Sequence, residues 1–135
     1  GLFGANPFGR IDQNIRDYRK SAESKQITWE EADERIEQTY KMFKDSYDEK
    51  ALIENPNLLA WKSFSRPLIN DWLKIKIPTY LAYGTNDIAS DLCDLVPLFY
   101  IQNSKTNLTY KRYLNLEHNF FEVKENGRAN YEKEH

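Results

Sequence analysis

Two side chains in this 135-residue chain have types and positions suited to proton transfer. Asp87 stands in IPTYLAYGTNDIAS, residues 77–90, and His118 in NLEHNFF, residues 115–121. Each follows directly on an apolar, strand-like run. A carboxylate that accepts a hydrogen bond from one imidazole nitrogen fixes the tautomer. It also stabilises the imidazolium that forms when the other nitrogen takes a proton. Such a pair does chemistry only with a third group, a nucleophile whose proton is removed. Taken singly, Asp87 fits ordinary turn chemistry and His118 fits a loop histidine that caps backbone groups. Their placement just past two strands of one unit favours the functional reading of the pair. The other histidine, His135, is the terminal residue and offers nothing comparable.

The elements that must position this pair are legible in outline. IKIPTYLAYG has β-branched and aromatic residues and ends at a glycine. Thr79 to Tyr83 reads as a strand buried on both faces, which belongs in a parallel sheet, and Pro78 is tolerated near its start. Ser90 to Asn103 reads as a helix with Leu92, Leu95, Val96, Phe99 and Tyr100 on one side. Pro97 kinks that helix or delays its start. LTYKRYL, residues 108–114, is a second strand, and Lys111 and Arg112 put it near a sheet edge. Strand, helix and strand over about 35 residues make a βαβ unit. In such units the loops at the carboxyl ends of the strands carry the chemistry. Asp87 and His118 are therefore expected at one edge of the sheet.

Upstream, GLFGANPFGR reads as a loop with the tail of a strand. Ile11, Ile15, Tyr18 and Ala22 share one face of a helix over Asp12–Ser24. A longer helix is expected from Thr28 to Lys50. Thr28 and Glu31 form its T-x-x-E capping box, and Trp29, Ala32, Ile36, Tyr40, Phe43 and Tyr47 its apolar stripe. Asn55-Pro56-Asn57 breaks the pattern. Short helices at Leu58–Phe64 and Leu68–Leu73, separated by Arg66-Pro67, read as a lid or helical insertion. The expected organisation is one α/β domain over 1–135. It has a cap-like helical segment at 12–74, the strand-helix-strand unit at 75–123 and a polar tail at 124–135.

Composition narrows the function classes. The net charge is −2, so no broad basic field steers the chain to nucleic acid or anionic lipid. No 18-residue apolar stretch exists to span a membrane. The single cysteine, Cys93, excludes an internal disulfide and fits a reducing compartment. No signal peptide is visible, and a cytoplasmic location is favoured. One usable histidine and one cysteine, without ligand spacing, argue against a metal. No G-x-G-x-x-G or P-loop pattern argues for a nucleotide, so no cofactor is expected. The Asn107-Leu108-Thr109 sequon is of a kind that arises often by chance. Asp91 is an alternative acid, or the charge complement of the following helix N-terminus. Glu117 either tunes His118 or holds substrate, or is a surface carboxylate, since adjacent side chains usually point apart. Cys93 lies in a helical apolar stretch and reads as core.

Residues 77–121 resemble the C-terminal end of an α/β-hydrolase. In that family the acid follows the seventh strand as Y-G-x-x-D, matched by Tyr83, Gly84 and Asp87. The histidine follows the eighth strand, often before asparagine or an aromatic residue, matched by His118, Asn119 and Phe120. The 31-residue separation of Asp87 and His118 is similar to the family's. NPFGR and the helical stretch to Leu73 resemble the cap segment after the sixth strand. The resemblance implies hydrolysis of an ester, thioester or amide in a small-molecule or peptide substrate, with His118 as base and Asp87 as orienting acid. The family's nucleophile sits in G-x-S-x-G, and no serine here lies between glycines. The chain is accordingly expected to be the C-terminal part of a longer serine hydrolase, inactive alone. A sheet cut before its sixth strand is expected to cover its edge by homo-oligomerisation. The alternative is a non-catalytic α/β interaction domain that uses the charged amphipathic helix 28–50 as its contact surface.

Overall fold

The periodic face of Ile11, Ile15, Tyr18 and Ala22 becomes a helix, α1 (Arg10–Glu23), in the computed structural model of the chain, which describes residues 1–3 and 6–123. The tail expected at 124–135, with His135, lies outside the described residues. The capping box opens α2 (Trp29–Asp45). The Glu31 amide donates to Thr28 Oγ1 at 3.1 Å, and the Thr28 amide donates to the Glu31 carboxylate at 2.8 Å. Two amides that a helix start would otherwise leave open are thereby satisfied.

The single helix expected over 28–50 is two helices. α2 stops at Asp45, and Ser46 closes its last turn: its amide bonds the Met42 and Phe43 carbonyls and its Oγ donates to the Phe43 carbonyl at 2.6 Å. Asp48 then caps α3 (Glu49–Glu54), its Oδ1 accepting from the Ala51 amide at 2.8 Å. α4 (Leu58–Phe64) follows after the expected Asn-Pro-Asn break. The inner face of α2 keeps part of the expected stripe, Ala32, Ile36 and Phe43, and adds Thr39, while its other aromatics lie outside. Ala32 and Thr39 are buried, with Ile36 and Phe43 half-buried. Trp29, Tyr40 and Tyr47 are half or more exposed. The small side chains at 32 and 39 face inward where α2 packs on α1, so the bulky aromatics flank the seam. Cations lie over two of them: Arg19 is 5.5 Å from the Trp29 ring centre and Lys62 is 4.3 Å from that of Tyr47.

These helices make up one compact unit, Phe8–Pro67. Its two ends meet, since a Cβ on Gly9 would run into the backbone of Ser65.

The second unit comprises Gly1–Pro7 and Leu68–His135. Its sheet is all parallel in the order β1 (Leu2–Phe3), β2 (Thr79–Gly84), β3 (Leu108–Tyr113). β2 and β3 pair over their full length, from Thr79 opposite Leu108 to Gly84 opposite Tyr113. The strand-like tail in the first ten residues is the two-residue β1, in register with Leu81 and Ala82. Consecutive residues Leu81, Ala82 and Tyr83 are buried, so β2 is covered on both faces, as a central parallel strand must be. β3 is an edge strand among the described residues and mostly exposed.

α5 (Ile69–Trp72) precedes β2. The expected helix 90–103 starts late. A 3₁₀ turn at Asp91–Leu95 leads into α6 (Val96–Gln102), with Pro97 in its first turn, where a missing amide costs nothing. Ile69, Trp72, Leu81, Tyr83, Cys93, Val96 and Tyr100 form the core of this unit.

The boundary between the units also departs from the sequence reading, which put residues 68–74 with the helical segment. The amides of Leu68 and Ile69 both donate to the Pro7 carbonyl, at 2.9 and 2.8 Å, and this ties α5 to the sheet unit. Asn107, the sequon asparagine, has a structural task. Its side-chain amide donates to the carbonyls of Ile75 and Ile77, at 3.0 and 2.8 Å, and so aligns the starts of β2 and β3.

Candidate active site

β2 ends at Gly84, and the chain turns at once. The Asp87 amide donates to the Gly84 carbonyl at 3.2 Å. Asp87 Oδ1 accepts from the Ala89 amide at 3.0 Å, the turn chemistry expected of an aspartate in this position. Its other oxygen, Oδ2, lies 2.9 Å from His118 Nδ1. The two readings of Asp87 therefore coexist, one on each oxygen. The carboxylate is buried, 1% exposed, whereas the imidazole is 51% exposed. A carboxylate bonded to Nδ1 selects the neutral tautomer that carries its proton there, which leaves Nε2 as the basic nitrogen.

The two loops are laced together beyond the last paired residues of the strands. The Thr85 amide donates to the Tyr113 carbonyl at 2.9 Å, and the Asn86 amide to the Leu116 carbonyl at 3.0 Å. In return the Asn115 amide donates to Thr85 Oγ1 at 2.9 Å. The histidine loop passes so close over the end of β2 that a Cβ on Gly84 would overlap the Leu116 carbonyl. Glycine is required there for close approach. Asn115 and Phe120 adopt left-handed backbone, at φ 61° and 63°, and so turn the loop on both sides of His118. The Phe120 ring meets Tyr113 edge-on, with ring centres 5.6 Å apart.

The neighbouring acids fall elsewhere. Asp91 lies in the 3₁₀ turn, and it is Asp87 that bonds His118. Asp94 accepts the Tyr83 hydroxyl at 2.6 Å, and Arg112 Nε lies 3.1 Å from the same oxygen. That cluster ties the 3₁₀ turn to β2 and β3. Glu117 receives backbone amides of its own loop. Cys93 is fully buried in the core. Burial, and then the charges of Asp87, Asp94 and Asp91, push its thiol up to about 12, so near neutrality it stays a protonated, unreactive core group. Among the described residues no group of three or more His, Cys, Asp or Glu side chains could hold a metal ion, and no helix is long and apolar enough to cross a membrane.

Sequence reasoning identified the Asp87–His118 pair but missed what holds it. Gly84 was visible as a motif residue, yet the backbone it must clear lies at Leu116, far along the chain. Thr85 gave no signal, because small polar residues fill most turns.

No family model, curated protein or solved structure matches the chain.

Proposed function

We propose that the chain supplies the base and the orienting acid of a serine hydrolase of the α/β-hydrolase type. One observation carries this reading: a buried carboxylate bonded to a half-exposed imidazole, 2.9 Å apart, at the carboxyl ends of neighbouring parallel strands. Brought beside a serine contributed from outside these 135 residues, His118 Nε2 takes the hydroxyl proton as the oxygen attacks the acyl carbon of an ester, thioester or amide. The imidazolium then gives that proton to the leaving group. Asp87 keeps the ring in the correct tautomer and offsets its transient charge. The substrate class is a small-molecule or peptide acyl compound.

The test begins with the chain alone and an activated ester. Hydrolysis should not exceed that of free imidazole at equal concentration. Saturable turnover abolished by His118→Ala would show that the nucleophile lies within the chain. The coding sequence upstream is the second arm. A G-x-S-x-G after an apolar strand supports the enzyme, and its absence counts against it.

A second reading, a non-catalytic interaction domain, draws on the half-exposed Trp29 and Tyr40 of α2 among its charged residues. In the enzyme reading, the sheet edge left by the missing strands, on the side of β1 away from β2, is the expected pairing surface for a second copy. Sedimentation should show a dimer that dissociates on dilution, and a monomer at every concentration would refute that pairing.

A further inference from the structure

The His118 ring is half exposed, so its meeting with Asp87 depends largely on where the loop backbone carries it. We infer that Glu117 is the residue that sets this, a positioning residue for His118. The inference rests on the dyad reading above.

At least five hydrogen bonds run through Glu117 across the loop. Its amide donates to the Phe121 carbonyl at 2.9 Å, and its carbonyl accepts the Phe120 amide at 2.9 Å. Its side-chain Oε1 accepts the Asn119 amide at 2.8 Å and the Phe121 amide at 3.2 Å, while Oε2 lies 3.4 Å from the Asn119 side-chain amide. The carboxylate thus grips the backbone on the far side of His118 from its own Cα. Bonds from amides to an ionised carboxylate are stronger than neutral ones. They hold a turn that includes Phe120 in left-handed backbone, a conformation costly for a residue with a side chain. A side chain that adjacent-residue geometry points away from His118 can still govern it, through the two amides that follow the histidine.

The test is the imidazole signal of His118 by nitrogen-15 NMR in the whole chain. Wild type should show the tautomer protonated on Nδ1 and a downfield Nδ1 proton. Glu117→Gln keeps an acceptor oxygen and should retain both. Glu117→Ala should lose the downfield proton, and its ring should drift to the tautomer mixture of free imidazole. An alanine variant that keeps the wild-type signal overturns the inference while leaving the dyad intact. A wild-type protein without the signal overturns the dyad itself, and the inference with it. If Glu117→Ala does not fold, Glu117→Gln decides alone. Loss of charge should then move the Asn119 and Phe121 amide protons upfield, and unmoved amides overturn the inference.

Discussion

Gly84→Ala is expected to part Asp87 from His118. The new methyl group would occupy the position of the Leu116 carbonyl, and that oxygen also accepts the Asn86 amide. Both obstacles are backbone, so no side chain can swing aside. The loop from Leu114 to Phe121 must lift, and a hydrogen bond of 2.9 Å is lost once its atoms separate beyond about 3.5 Å. Gly84 does not have a left-handed φ, so the effect is one of crowding rather than of backbone preference. Overpacking of this kind costs about 1–3 kcal/mol. Two measurements check it: the unfolding midpoint, which should fall, and the His118 tautomer, which should lose its bias to Nδ1. A destabilised variant with an unaltered tautomer would mean that the two loops move as one body.

Leu81→Ala should be the most damaging core substitution. Leu81 is fully buried on the central strand, within the cluster that includes Ile69, Trp72, Val96 and Tyr100. Removing a buried leucine loses its transfer energy and leaves a cavity, together about 2–5 kcal/mol. For a unit of this size each kcal/mol lowers the melting temperature by about 4–8 °C. Thermal unfolding should therefore shift by more than about 10 °C, with amides of β2 and β3 exchanging faster with solvent. A shift under about 1 kcal/mol would mean that the neighbouring side chains close the space, contrary to the close packing expected of such a core.

Features encoded by neighbouring residues were legible beforehand. The apolar run to Gly84 gave β2, the Thr28–Glu31 box opened α2, and Pro97 pointed to a kink or a late start for α6, of which the late start is found. The pairing of Asp87 with His118 was also within reach, because two parallel strands bring their following loops together whatever fills the interval. What escaped notice was set by distant or unassuming partners. Ser46 looks like any polar residue on a charged helix, yet α2 stops beside it and Asp48 caps a new helix. The side of α2 that faces inward was decided by the small residues Ala32 and Thr39, whereas large side chains dominated the expected stripe. α5 belongs with the sheet through the Pro7 carbonyl, at the other end of a long excursion, and through the burial of Ile69 and Trp72 in the core of that unit. The direction of the Glu117 side chain relative to His118 is readable from the sequence, but its bonds run to the backbone beyond.

The Pro7 carbonyl has a wider consequence. It binds the amides of Leu68 and Ile69 together, and one step inside, Gly9 abuts Ser65. The polypeptide thus departs and comes back through a single doorway. The entropic penalty for closing such a detour rises only with the logarithm of its length. As far as closure entropy alone is concerned, a change in the length of the segment between Pro7 and Leu68 is expected to cost little.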